Sequence, residues 1–127
     1  MRGLVIVKPE SEWYIQEIIN EAKKVDIKLV CEYKTQLSIK TVEILYAEHI
    51  DEPIYPDLLS YMTGGISTIL FFEGKDTVNK LLKIKGKANK GGIRGKYAHM
   101  SNLKKVKNIL HCPDTEEQTE REIALLT

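Results

Sequence analysis

The chain has 127 residues and a mass of 14.5 kDa, the size of one ordinary domain, so residues 1–127 are expected to share one core and one principal site. At 43% hydrophobic and 29% charged residues, and with no apolar run near the roughly 20 residues of a membrane-spanning helix, it belongs to neither the membrane-spanning nor the disordered class. A formal net charge of +1 gives no bulk attraction to nucleic acid or to a membrane surface.

Met1-Arg2-Gly3 runs straight into Leu4-Val5-Ile6-Val7, which is too short for the core of a signal peptide and lacks a small-residue cleavage site after it, so a cytoplasmic location is expected. The same run is uninterrupted and rich in β-branched residues, the pattern of a strand buried on both faces, and Pro9 ends it. Ser11 and Glu12 open a helix in which Trp13, Ile15, Ile18, Ile19 and Ala22 recur at helical spacing up to Lys24. Ile27 to Leu37 alternates as a long strand, with Leu29, Cys31, Tyr33 and Thr35 on one side and Lys28, Val30, Glu32 and Lys34 on the other. Ser38 caps a helix carrying Val42, Leu45, Tyr46 and His49. Pro56 marks the start of a short helix through Leu58, Leu59 and Met62, stopped by Gly64-Gly65.

Ile66 to Phe72 is a second apolar run closed by Glu73-Gly74, and Asp76 to Ile84 returns to helical spacing through Val78, Leu81 and Leu82. A glycine- and lysine-rich loop follows, then a short strand from Val106 to Leu110. Asp114 opens the last helix, with Glu117 three residues on as in a capping box. The order predicts two βαβ-type halves in an α/β (α+β) fold, a ferredoxin-like four-stranded antiparallel sheet with helices packed on it. The runs from Leu4 to Val7 and from Ile66 to Phe72 are expected at its centre.

Charge is distributed unevenly. Lys83, Lys85, Lys87, Lys90 and Arg94 lie between Lys80 and Lys96 with no acidic residue among them, whereas Glu116, Glu117 and Glu120 fall in the segment from Asp114 to Glu122. The basic stretch also holds Gly86, Gly91, Gly92 and Gly95, and glycine lets a backbone approach phosphate oxygens with its N–H groups exposed. A phosphate-bearing ligand suits this pattern; a solvated lysine loop is the plain alternative. His49, near a helix end, and His99, in the loop region, read as structural or solvated. His111 differs: in Asn108-Ile109-Leu110-His111-Cys112-Pro113-Asp114 it stands where strand, turn and helix start meet, which suits a nucleophile or general base held at the edge of a cleft. Glu122, on the following helix, can fold back to fix the imidazole tautomer and support its cationic form. Cys31 and Cys112 have no metal-ligand spacing, and a domain of this length needs no disulfide.

Five stretches occur in the order seen in nucleoside diphosphate kinases: Val5-Ile6-Val7-Lys8-Pro9-Glu10, Tyr61-Met62-Thr63-Gly64-Gly65, Phe72-Glu73-Gly74, Gly92-Ile93-Arg94-Gly95 and Asn108 to Asp114. The last resembles that family's signature around its phosphorylated histidine, and Glu120-Arg121-Glu122-Ile123 fits the helix after it. The resemblance spans nearly the whole chain and implies a single nucleoside diphosphate kinase-like domain over residues 1–127. It also implies transfer of the terminal phosphate of ATP or another nucleoside triphosphate to a nucleoside diphosphate, through a phosphohistidine at His111. By the same resemblance Lys8 contacts the transferred phosphate, Arg94 belongs to a phosphate clamp, and Asn108 binds the ribose and a leaving-phosphate oxygen. Tyr46 lies beside the histidine, Glu122 orients it, and Ile54, Tyr55 and Leu58 lie on the base side. Magnesium is expected to arrive on the nucleotide phosphates, with Asp114 reaching it through water rather than through a dedicated metal site. A homo-oligomer is implied as well.

The departures are specific. Leu82 stands where a second clamp arginine is usual, Ala88 where a threonine binds phosphate, Pro113 where a serine is usual, and Ile54 where a phenylalanine stacks on the base; Tyr55 is the expected substitute for that stacking. Lys85, one helical turn beyond Leu82, and then Lys87 are expected to replace the lost phosphate contacts. The competing reading is a nucleotide-binding or regulatory protein on the same fold with weak or no transferase activity. Nucleic-acid binding through the lysine loop is less favoured, because only Tyr97 provides an aromatic ring nearby.

Overall fold

The computed structural model describes residues 1–86, 91–96 and 109–127, with only the backbone of residues 95 and 96. Its strands are β1 (Arg2–Val7), β2 (Ile27–Thr35), β3 (Ser67–Gly74) and β4 (Leu110–His111). Its α-helices are α1 (Ile15–Lys24), α2 (Ile39–Leu45), α3 (Tyr55–Thr63), α4 (Thr77–Lys85), α5 (Gly92–Lys96) and α6 (Glu116–Leu126). The strands lie in the order β2-β3-β1-β4 with every neighbouring pair antiparallel, which is the expected ferredoxin-like sheet. The two apolar runs take the central positions because only there are both faces of a strand covered.

Alternation along β1 divides the core between the faces of the sheet. Val5 and Val7 pack with Leu70 and Phe72 under Ile18 and Ala22 of α1 and Leu81 and Ile84 of α4. Leu4, Ile6 and Ile69 face the other way, toward Val42 and Leu45 of α2, Leu58 and Met62 of α3 and Ile123 of α6. Helix α4 comes in against β1 at Gly3, where an added Cβ would lie 2.4 Å from Thr77 Cγ2 and 2.5 Å from Leu81 Cδ1.

The plain alternation read along β2 is broken by a bulge. Leu29 pairs with Phe72 and Cys31 with Phe71, so Val30 is an extra residue without a register partner. Leu29 therefore packs on the α1/α4 face and Tyr33 on the opposite one, not on the common side expected from strict period two. The first helix also starts differently: a 3-10 turn over Glu12–Tyr14 precedes α1, and Ser11 makes no side-chain cap. That tighter turn rotates Trp13 off the apolar stripe, leaving it 89% exposed.

Ser38 caps α2 as expected, its side chain accepting from the Thr41 N–H at 3.1 Å. At α6 the cap is Thr115 rather than Asp114, with its hydroxyl accepting from the Gln118 N–H at 3.0 Å. Of the strand expected from Val106 to Leu110, residues 106–108 lie outside the described residues, and β4 runs on through His111. Within the expected loop the chain forms α5, carrying Arg94. Gly92 permits this, with φ at +57° and a hypothetical Cβ only 2.4 Å from the Gly86 backbone nitrogen, so that α5 starts against the end of α4.

Candidate active site

β1 and β4 bring the first residues of the site together. The register pairs Ile6 with His111 and Val7 with Leu110, so His111 leaves β4 on the α2/α6 face. Lys8 follows directly on β1, and its backbone N–H donates to the Ile109 carbonyl at 2.8 Å. Ile109 itself has φ at +77°, a left-handed conformation costly for a β-branched residue, and it is held there by complete burial. The strained residue thus sits two positions before the histidine and locks it to Lys8.

His111 and Glu122 form a part-buried pair in which Nε2 donates to Glu122 Oε1 at 2.7 Å. The other carboxylate oxygen accepts from Gln118 Nε2 at 2.8 Å, so both oxygens are engaged and the group is held firmly. A carboxylate on Nε2 fixes the ring proton there and leaves the lone pair on Nδ1. The Tyr46 ring meets the imidazole edge-on at 5.1 Å between centroids, and Lys8 Nζ lies 5.8 Å from the same Tyr46 ring. Among the described residues the buried Tyr46 hydroxyl has no hydrogen-bond partner; burial and the nearby Glu122 charge hold it protonated beyond the ordinary phenol range.

Lys8, Tyr46, His111 and Gln118 open on a cavity of about 300 Å³ lined also by His49, Glu52, Ile54, Leu58, Lys85, Arg94, Cys112 and Asp114. A roomier groove lies on the far side of Glu122, between α2 and α6, but His111, Lys8 and Arg94 are not among its walls. Arg94 is fixed by one arm, Nη2 donating to the Leu110 carbonyl at 2.6 Å. Burial first, and then the charges of Arg94 and Lys85, pull the Lys8 ammonium down to about 7. Burial likewise lowers Lys85 and Arg94, each against a smaller raising influence of Cys112 and Asp114. Clustered cations that disfavour their own charges form a site prepared for a multivalent anion. Burial pushes the Cys112 thiol up to about 12, so it lines the wall as an unreactive group.

Of the residues singled out in the sequence, His111, Glu122, Lys8 and Tyr46 come together, and Ile54, Leu58, Lys85, Arg94 and Asp114 line the same cavity. Tyr55 does not. It is buried in the core beside Leu58 and Met62, so the expected substitution of its ring for the missing phenylalanine finds no support in its position. Asn108, Lys87 and Ala88 lie outside the described residues. Leu82 packs against the α1/α4 core. His49, read from the sequence as solvated or structural, borders the cavity with its Nδ1 against the Glu52 carboxylate. Its position three residues after Tyr46 was the available signal, since that spacing returns a side chain to one face of a turn, and the two rings lie 6.1 Å apart.

A family model described as nucleoside diphosphate kinase matches residues 1–127. The chain belongs to the nucleoside diphosphate kinase family. A nucleoside diphosphate kinase of Listeria welshimeri is 35% identical over 128 residues, covering 95% of this chain and 84% of the relative. Among solved structures, the apo nucleoside diphosphate kinase of Encephalitozoon cuniculi superimposes with a TM-score of 0.87 at 26% identity, over 98% of this chain and 86% of that one. The Halobacterium salinarum enzyme in complex with CDP gives 0.86 at 28% identity, over 100% and 87%. The motif resemblance and the ferredoxin-like expectation agree with these matches, and the chain is a phosphotransferase of this family. No helix among the described residues is long and apolar enough to cross a membrane.

Proposed function

We propose that this nucleoside diphosphate kinase carries the phosphate on Nδ1 of His111. The observation that supports this reading most directly is that His111, held by Glu122, opens on the same cavity as Lys8 and Arg94. With Nε2 committed to Glu122, the Nδ1 lone pair attacks the terminal phosphorus of a nucleoside triphosphate. A nitrogen–phosphorus bond forms, the phosphorus–oxygen bond to the next phosphate breaks, and the nucleoside diphosphate leaves with that electron pair. A second diphosphate then attacks the phosphohistidine through a terminal oxygen, and His111 is restored.

Phosphoryl transfer asks a protein mainly for alignment and for cancellation of charge on phosphate oxygens. Lys8 and Arg94 supply that cancellation, and the planar guanidinium of Arg94 has the fork geometry suited to phosphate. Glu122 gains attraction to the ring as the imidazole acquires positive charge in the attack. Tyr46 keeps the ring from tilting out of line. Ile54 and Leu58 offer apolar contact on the base side, and Asn108 is assigned to the ribose by resemblance alone.

Magnesium is expected to enter as part of the nucleotide substrate, where it would shield neighbouring phosphates, with Asp114 a cavity-lining carboxylate available to its water shell. Incubation with magnesium and ATP labelled at the terminal phosphate is expected to give an acid-labile, base-stable label on His111 that passes to added nucleoside diphosphate. A protein that binds nucleotide yet takes up no label would instead be a nucleotide-binding protein on this fold.

A further inference from the structure

We propose that Lys85 is a third phosphate-binding cation of this site, reaching the polyphosphate from the C-terminal end of α4. The proposal rests on the nucleotide-kinase reading of the cavity and names a side chain that completes it. Lys85 is the last residue of α4 and lines the cavity together with Lys8, Arg94 and His111. It is half-buried, yet among the described residues its ammonium makes no hydrogen bond and no ion pair. Its charged neighbours are mainly adverse: Arg94 opposes its charge, and Lys85 in turn opposes that of Lys8. Asp114 acts in its favour, while the Cys112 thiol, held protonated to about 12, carries no charge to offer it. Removing an ammonium from water beside other cations is unfavourable unless an anion joins them.

A lysine at a helix C-terminus also complements the helix dipole, but that role needs no burial. Lys83 illustrates it on the same helix: it is exposed and borders a separate groove with Glu17, Glu21 and Asp76. Leu82, one turn before Lys85, packs on the core and offers the anion nothing. The close approach of Gly92 to Gly86 fixes where α4 ends, next to the start of α5, so that Lys85 and Arg94 line one cavity. A lysine in this place contributes a point charge rather than a fork, so it neutralises without dictating orientation.

The test is equilibrium titration of the full chain and its variants with ADP and magnesium, and separately with inorganic pyrophosphate, at low and high salt. Lys85→Ala is expected to weaken ADP binding about tenfold to a hundredfold at low salt, the loss of one charge-assisted contact. Its salt dependence should be shallower than that of the parent. Pyrophosphate should show the same loss because no base is involved. Lys85→Arg should keep most of the affinity, and Lys83→Ala should bind like the parent. If Lys85→Ala does not fold, Lys85→Met retains the stem without the charge and reads the same contact. Parent-like ADP and pyrophosphate affinity in the charge-removing variant, or an equal loss in Lys83→Ala, overturns the proposal. Failure of the kinase reading shows elsewhere: the parent would then take no label from ATP, and if it also bound no ADP both conclusions would fall together.

Discussion

Glu122 touches His111 and Gln118 and has no need to reach the ligand, so its contribution belongs in turnover rather than in binding. Glu122→Gln keeps a hydrogen-bonding group of the same size but removes the charge that stabilises an imidazolium. A charge-assisted hydrogen bond is worth about 1.5–3 kcal/mol, so kcat should fall roughly tenfold to a hundredfold while ADP affinity stays within about threefold. Steady-state kinetics beside an equilibrium titration check this, and equal loss in both would place Glu122 on the ligand. Arg94→Ala should do the reverse and raise KM and Kd more strongly than it lowers kcat. Lys8 carries a pH signature of its own. Its amine titrates near 7 when folded and near 10.5 when unfolded, with Arg94 and Lys85 facing it, so between those values the folded state binds fewer protons. Stability of the ligand-free protein should therefore rise with pH above about 7. From about 9 upward the buried Cys112 thiol, held protonated to about 12, works in the opposite sense, and the Tyr46 phenol joins it from about 10. Denaturant midpoints compared at pH 7 and pH 8.5 should increase, while ADP affinity declines over the same interval as Lys8 loses its proton.

Short local devices at the level of the elements decide whether these side chains meet. Helix α6 carries Glu122, and its first turn is secured by the Thr115 hydroxyl on the Gln118 N–H, with the Thr119 hydroxyl donating to the Thr115 carbonyl at 2.7 Å. Thr115→Ala should cost about 1 kcal/mol of stability, as loss of an N-cap usually does. Because Gln118 also holds Glu122, a fall in kcat should accompany it. Calorimetry and kinetics on one preparation test whether the two losses travel together. The packing of α4 on β1 depends on the absence of a side chain at Gly3, since any Cβ there meets Thr77 and Leu81. Gly3→Val should destabilise by about 1–3 kcal/mol through overpacking. It should also weaken ADP binding, because the displaced helix carries Lys85; unchanged affinity would mean that the end of α4 is held independently, through α5.

Across the whole molecule, the site draws on both layers of the fold. Lys8, Tyr46, His111 and Glu122 belong to the side of the sheet covered by α2, α3 and α6, whereas Lys85 and Arg94 come from α4 and α5, whose apolar residues pack on the other. Their convergence leaves like charges close together in the ligand-free protein, and a polyphosphate relieves that repulsion. ADP with magnesium at a hundred times its Kd should stabilise the fold by about 2.7 kcal/mol, visible as a rise in Tm, whereas adenosine lacking phosphates should do little. A comparable shift with adenosine would indicate that binding is governed by the base and not by charge.

The sequence by itself determined the order of the strands and of the helices other than α5, the two central strands and the histidine at the end of β4, because each is written in a local pattern: an uninterrupted apolar run, a helical period, or a residue placed between strand and turn. The cap at Ser38 followed from the same short-range reasoning, whereas the sequence only placed Glu122 within reach of His111 and the contact itself is tertiary. Tertiary structure decided what depends on contacts between distant segments. Whether Leu29 and Tyr33 share a face rests on a single extra residue, Val30, in the pairing with β3, and strand periodicity carries no trace of a bulge. Tyr55 went to the core instead of the base side because α3 presents it to the same cluster as Leu58 and Met62. His49 joined the cavity through the packing of whole helices, which turns neighbouring side chains toward different surroundings. A one-dimensional period specifies which residues share a stripe, and only the assembled layers specify what that stripe faces.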